Sequence, residues 1–261
     1  MRPESLLEIK NLTIGLSEEA ENKTIVQGLS LSIFPKTIAA LVGGSGSGKT
    51  TTGLAVLRLL PPVMDITQGE ITFQGKDMLN YSIEQMRQLR GKEIAMVFQE
   101  PLYAFNPVFR IGQQMEEVLI YHCSLNKQQR EQRILDLLDM VGITEPQRVA
   151  QSYPHQLSGG MRQRAMIAQA IAAEPQLIIA DEPTSNLDVT LQAHIMDLFR
   201  KLKERLNLSI LLITHDLGVV THLADDIFVL SEGRVVESGP TQMILAKPQH
   251  RFTQELMETF R

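Results

Sequence analysis

The chain of 261 residues has one cysteine, Cys123. A single thiol cannot close an internal disulfide or build a cysteine-ligated metal cluster, and it suits a reducing compartment. Long apolar runs are missing as well. None approaches the ~18 residues a membrane-spanning helix needs, so work at a membrane would require a partner that crosses it. The opening Met1-Arg2-Pro3-Glu4-Ser5 does not read as a signal peptide. Lysine and arginine total 25 against 30 aspartates and glutamates, a formal charge of -5. Without a basic excess, nucleic acid is not an expected partner. Short-period repeats and low-complexity tracts are also absent. Of the six histidines, five (His122, His155, His194, His222, His250) have no metal-ligand spacing and read as surface or packing residues. What remains, 43% hydrophobic and 21% charged, suits a soluble globular protein of one large domain or two small ones.

The most informative stretch present is Gly43-Gly44-Ser45-Gly46-Ser47-Gly48-Lys49-Thr50. It fits the phosphate-loop pattern. Glycines let the backbone curl so that several N–H groups face one concavity, and a helix starting at about Lys49 adds its positive end. Lys49 is expected to reach the β- and γ-phosphates, the Thr50 hydroxyl to ligate Mg²⁺, and Thr51 to lie beside the phosphates. The apolar run 37–42 before the loop has buried-strand character, and 52–60 reads as a helix stopped by Pro61-Pro62. The loop by itself says only that a nucleoside triphosphate binds.

Around this stretch, 6–14 and 24–33 alternate apolar and polar residues as half-buried strands do, with a polar loop at 17–23. A short strand at 69–73 and a turn at Gly75-Lys76 follow. The first ~75 residues thus read as an antiparallel sheet beside a nucleotide-binding strand and helix. A buried-type strand at 93–98 ends in Gln99-Glu100-Pro101, and a loop is expected at 102–107. The character then turns helical, at 112–123 and 127–141, where Ile134, Leu137, Leu138 and Val141 share one face. From Leu157-Ser158-Gly159-Gly160 onward strands and helices alternate: helix 161–173, strand 176–180, helix 188–206, strand 209–214, helix 217–224, strand 227–230, and a turn at Glu232-Gly233 into 234–236. Such alternation implies a largely parallel sheet with ligands at the strands' carboxyl ends. Gln99, Asp181-Glu182 and His215 each stand at one such end.

Asp181 after a buried strand is the usual second half of a phosphate-loop site, holding Mg²⁺ directly or through water. Side chains alternate along a strand, so Glu182 cannot serve the metal in the same way. It is free to orient or deprotonate the attacking water. Gln99 offers an amide oxygen to Mg²⁺ or its water and is placed to sense the γ-phosphate, and His215 offers that phosphate a hydrogen bond, so Glu182, His215 and Gln99 are the catalytic candidates. Ser158-Gly159-Gly160 before a helix is a second anion-binding feature, explained if two copies sandwich one nucleotide.

Taken together, these residues resemble the nucleotide-binding subunit of an ATP-binding cassette (ABC) transporter. Residues 157–164 are similar to that family's signature and 177–183 to its Walker B segment. Ser185-Asn186-Leu187-Asp188 is similar to its D-loop, Gln99 to its Q-loop and Thr214-His215-Asp216 to its H-loop. The resemblance covers nearly the whole chain. It implies one α/β phosphate-loop NTPase domain, with an N-terminal antiparallel β-subdomain and a helical subdomain inset at about 101–157. It also implies a head-to-tail dimer holding two ATP molecules, where Ser158, Gly159 and Gly160 reach the nucleotide of the partner. Closure on ATP and reopening after hydrolysis through Glu182 would reach membrane subunits by way of the helical inset and the loop after Gln99.

A narrower resemblance is to the ATPases of peptide and nickel importers. It rests on Phe98-Gln99-Glu100-Pro101, Ala104-Phe105-Asn106-Pro107, Tyr153-Pro154-His155-Gln156 and Pro248-Gln249-His250-Arg251-Phe252-Thr253. The short form, and Gly44 where Glu is common, lean towards nickel or metal-chelate cargo rather than peptides. Implied partners are integral membrane permease subunits, a second ATPase subunit and an extracytoplasmic solute-binding protein, with the chain peripheral on the cytoplasmic face of the inner or plasma membrane. Two departures stand out: Gly15-Leu16 where the family often stacks an aromatic on adenine, and Asn186 where Ala is commoner. Competing readings are a soluble ABC ATPase of translation or DNA repair, a subunit of a phosphonate-degrading complex, and an unrelated phosphate-loop kinase or GTPase. No long coiled-coil insert separates Gln99 from Ser158, and no Asn-Lys-x-Asp guanine reader is present.

Overall fold

The computed structural model describes residues 4–16, 23–185 and 187–258. Met1-Arg2-Pro3, Asn186 and, apart from Lys23, the loop expected at 17–23 lie outside them. The chain forms two compact units, one of residues 1–87 with 207–261 and one of residues 88–206.

The first unit opens with β1 (Leu7–Leu16) and β2 (Thr24–Ile33), antiparallel with Leu7 opposite Ile33. The inward set along β1 runs Leu7, Ile9, then Leu12, Ile14, all buried. The slip of one residue falls where Asn11 takes a left-handed φ of 49° and the pairing shifts register. Such a bulge keeps both halves of the strand facing the core. Next come β3 (Ile38–Gly43), buried at every residue, and α1 (Lys49–Val56). β4 (Met64–Phe73) lies antiparallel on the other side of β1, and β5 (Lys76–Asp77) completes the sheet order β2-β1-β4-β5. The antiparallel sheet read from the first ~75 residues is therefore present.

Helix α2 (Ile83–Leu89) leads into the second unit. There β6 (Ile94–Val97) precedes α3 (Pro101–Ala104), α4 (Ile111–His122), α5 (Lys127–Met140) and α6 (Pro146–Gln151). A 3₁₀ turn at Pro154–Gln156 leads to α7 (Gly159–Ala170), β7 (Leu177–Asp181) and α8 (Val189–Leu206). β6 and β7 pair in parallel. The face expected on α5 is present, with Ile134, Leu137, Leu138 and Val141 buried. On α8 Ile195, Leu198, Phe199 and Leu202 are buried, while Leu206, expected on the same side, is half-buried.

The chain re-enters the first unit through β8 (Ser209–Thr214), α9 (Leu217–Leu223), β9 (Asp226–Ser231), β10 (Arg234–Pro240), α10 (Thr241–Ala246) and α11 (Arg251–Glu258). β3 is flanked by β8 and β9, both parallel to it, and β10 runs antiparallel on β9. Phe252, Leu256 and Met257 of α11 pack against a core that includes Val220 and Val229.

The structure corrects several boundaries. The helix expected to 60 ends at Val56, because Arg58 turns left-handed at φ 50°. The strand expected at 69–73 begins at Met64. The loop expected at 102–107 opens with a helical turn, Pro101–Ala104, started by Pro101 with its φ already set for a helix. Helices α2, α6, α10 and α11 were not anticipated, since so few turns display little periodicity.

Candidate functional site

In the first unit β3 delivers the chain to the glycine-rich loop, and Gly48 starts α1. Gly46 (φ 74°) and Gly48 (φ 102°) use the left-handed backbone that glycine adopts at little cost. Gly43 is required for another reason: a Cβ there would lie 2.1 Å from the carbonyl oxygen of Leu230. The Lys49 side chain is buried and folds back over the loop, its Nζ donating to the Gly43 carbonyl at 2.9 Å and the Gly44 carbonyl at 2.8 Å. The Thr52 hydroxyl donates to the Gly48 carbonyl at 2.9 Å and ties the loop to the helix. Ser45, Gly46 and Thr50 are exposed and Thr51 half-buried. The Ser47 hydroxyl is buried without a hydrogen-bond partner. A buried lysine and an unsatisfied hydroxyl in a loop where Gly44 and Gly46 leave open space fit an anionic, oxygen-rich ligand such as phosphate.

The same unit brings His215 to this end of the sheet. Val42 of β3 stands opposite Thr214 of the parallel β8, so Gly43 and His215 leave neighbouring strands at the same edge. His215 is exposed. Its backbone is held by Asp216, whose amide donates to the Thr214 hydroxyl at 3.0 Å. The Asp216 carboxylate accepts from the amides of Gly218 at 2.7 Å and Val219 at 3.3 Å, capping α9. Leu16, the residue in place of an aromatic, is half-buried opposite Met64.

In the second unit Val97 stands opposite Ala180, so Gln99 and Asp181 emerge at one edge of the β6–β7 pair. Asp181 is 3% exposed and Glu182 8% exposed, whereas Gln99 is open to solvent. Glu182 has a left-handed φ of 45°, a conformation that costs a non-glycine residue about 1–2 kcal/mol. Its carbonyl is held twice by Ser185, from the amide at 3.1 Å and the hydroxyl at 3.0 Å. The turn begins directly after Asp181, the last residue of β7. Ser158 caps α7, its hydroxyl accepting from the Met161 amide at 3.3 Å. Gly159 is exposed and a Cβ there would meet nothing within 4 Å, while a Cβ on Gly160 would lie 3.3 Å from Leu191.

Two glutamine side chains of this unit are buried. Gln114 on α4 is buried and organises the loop after Gln99. It accepts from the Asn106 amide at 2.8 Å and donates to the carbonyls of Asn106 and Phe109, each at 3.0 Å. Gln163 on α7 is 2% exposed with an Nε2 that has no partner. A glutamine on a helix reads as a surface residue, and only burial distinguishes these two. Among the described residues no group of three carboxylate, histidine or cysteine side chains could hold a metal, and no helix is long and apolar enough to cross a membrane.

A phosphate loop after a buried parallel strand and an adjacent acid pair ending another define a phosphate-loop NTPase of the α/β class. Comparison with known proteins makes this specific: the family model described as ABC transporter matches residues 26–185, and the chain belongs to that family as an ATP-hydrolysing cassette. It is 42% identical to the oligopeptide transport ATP-binding protein OppD of Bacillus subtilis, over 98% of this chain and 72% of that one. It is 40% identical to the dipeptide transport ATP-binding protein DppD of the same organism, over 97% of this chain and 76% of that one. The peptidoglycan transport ATP-binding protein YejF of Agrobacterium fabrum is 43% identical, but this chain spans 46% of it. Among solved structures, the ATP-binding cassette MJ0796, a dimer in a post-hydrolysis state bound to ADP and Pi, superposes with a TM-score of 0.80 at 29% identity. That match covers 90% of this chain and 98% of the other.

Proposed function

We propose that this chain is the ATP-hydrolysing subunit of an importer that carries short peptides through separate membrane-spanning subunits. The observation that carries the reading is Glu182, a buried acid set beside Asp181 in a strained backbone turn. Strain of this kind is retained where a side chain must be aimed. The peptide cargo rests on the likeness to OppD and DppD. That likeness outweighs the lean towards nickel or metal-chelate cargo drawn from the short form and Gly44.

The roles follow from charge and reach. Residues 43–48 offer backbone N–H groups to the β- and γ-phosphates, Lys49 neutralises their charge, and Thr51 lies alongside. Thr50, Gln99 and Asp181 would hold Mg²⁺. They are a hydroxyl, an amide oxygen and a carboxylate, the hard oxygen donors that this cation takes together with phosphate oxygens and water. Bound there, Mg²⁺ would draw charge from the phosphate oxygens. Glu182 orients the attacking water and takes its proton, and His215 donates to the γ-phosphate. Ser158, Gly159 and Gly160 serve the nucleotide of a second ATPase subunit, a reading supported by the dimer of the MJ0796 cassette with its ADP and Pi. Asn186 lies outside the described residues and is given no role.

We further read the chain as one nucleotide-binding domain with a helical inset at about 101–157. Leu102, Tyr103, Val108 and Phe109, in or beside the loop after Gln99, are all exposed, Tyr103 to 86%. Apolar side chains gathered in this way suit a protein contact, here with the permease subunits. A solute-binding protein outside the membrane completes the system, and the chain sits on the membrane's cytoplasmic face. The test is affinity capture from native membranes with tagged Glu182→Gln and Mg-ATP, followed by mass spectrometry. Co-purified polytopic membrane proteins and an ATPase subunit are expected. Recovery of soluble partners alone would overturn the importer reading in favour of a soluble complex.

A further inference from the structure

The turn that joins β9 to β10 is an unusual one. Glu232 (φ 48°) and Gly233 (φ 77°) form a two-residue hairpin turn, with Ser231 opposite Arg234. Such turns normally project into solvent, yet Gly233 is buried between two exposed neighbours. Its N–H donates to the carbonyl of Ser47 in the phosphate loop at 3.2 Å. Its own carbonyl accepts from the Gln27 amide of β2 at 2.8 Å. The Gln27 side chain in turn accepts from Nε of Arg234 at 3.0 Å. The turn is thus pinned between β2 and the phosphate loop.

The contact surfaces around it are backbone on backbone. A Cβ on Gly233 would lie 2.5 Å from the Ile25 carbonyl oxygen, and one on Gly48 would lie 3.1 Å from that same oxygen. Gly43, at the other end of the loop, stands against the Leu230 carbonyl near the end of β9. Both ends of the phosphate loop therefore rest on the β9–β10 hairpin and on β2, and Ser47 is fixed from below by the hairpin's tip. Backbone atoms cannot swing aside as a side chain does, so any atom added at 233 must displace Ile25, the turn, or the loop with its Ser47 bond.

We infer that Gly233 is a positioning residue for nucleotide binding: its N–H holds Ser47 so that the amides of the loop face the phosphates. The inference rests on the reading that residues 43–51 bind ATP.

Gly75 provides a matched control. It too sits in a hairpin turn with φ 73°, but a Cβ there meets nothing within 4 Å. Gly233→Ala and Gly75→Ala share the left-handed strain, and only the first presses on the chain below the loop. Affinity for a fluorescent ATP analogue with Mg²⁺ is measured for the wild type, both alanine variants and Lys49→Ala. Gly233→Ala should bind about tenfold more weakly or worse, and Gly75→Ala within about threefold of wild type. Hydrogen exchange on the wild-type protein, with and without MgADP, reports on the same contact and does not depend on Gly233→Ala folding. Exchange over residues 231–235 should slow on nucleotide binding together with the loop, while residues 74–77 stay unchanged. Equal affinities for the two alanine variants, or exchange at 231–235 that ignores nucleotide, would overturn the role of Gly233. Undiminished binding by Lys49→Ala would instead remove the ATP-site reading on which it rests.

Discussion

Ser185 holds Glu182 by the backbone: its amide and its hydroxyl both donate to the Glu182 carbonyl, at 3.1 and 3.0 Å. The two bonds close the turn that keeps Glu182 at φ 45°. Ser185→Ala removes one of them and leaves the other. A single hydrogen bond contributes about 0.5–1.5 kcal/mol, so turnover should fall about two- to tenfold with nucleotide affinity unchanged. Steady-state ATPase assays beside equilibrium binding would separate the two quantities. A parallel loss of both would mean that Ser185 supports the fold and not the aim of Glu182.

Lys49→Ala removes the ammonium that folds over the loop carbonyls of Gly43 and Gly44. ATP affinity should drop, and turnover should fall on the order of a hundredfold or more. The binding and phosphate-release assays used for Ser185→Ala check this. Normal turnover in this variant would show that the loop does not handle the γ-phosphate.

Ser158→Arg places a bulky cation at the exposed start of α7, where Ser158 caps the helix. If Ser158 serves a second subunit's nucleotide, the isolated chain should bind ATP as before while the assembled complex loses hydrolysis. A loss of ATP binding in the isolated chain would assign Ser158 to structural support.

Glu237 gives a pH-dependent test of the C-terminal segment. Burial pushes its carboxyl pKa up, but the Thr253 hydroxyl, the amides of Gln249 and His250, and the His250 charge outweigh burial and leave it lowered. The amide bonds measure 2.8 Å and 3.0 Å. A carboxyl lowered in the folded state adds stability above its unfolded value of about 4.3, and that stability is lost as pH falls through the folded value. Thermal melts should therefore show wild type above Glu237→Gln at neutral pH, with the gap closing in acid. A gap independent of pH would mean the carboxylate's charge plays no part.

The sequence was most legible where one local pattern decides the outcome. The phosphate loop, the acid pair at the end of β7 and the Ser158-Gly159-Gly160 start of a helix are each written within a few neighbouring residues, and a long amphipathic helix such as α5 announces its buried face. Short helices did not, because α6 and α10 have too few turns for a period to emerge. Burial of a polar side chain was equally hidden. Gln114 and Gln163 look like surface glutamines until tertiary packing encloses them. The bracing of Ser47 by Gly233 joins residues far apart in sequence, and a Glu-Gly turn carries no local mark of what lies beneath it.

The central claim, that Glu182 drives ATP hydrolysis, is tested most directly by comparing wild type and Glu182→Gln in the membrane-extracted complex. Bound ATP and released phosphate would be measured on the same samples. Glu182→Gln is expected to retain ATP, release almost no phosphate and accumulate as a closed dimer. Phosphate release at the wild-type rate would contradict it.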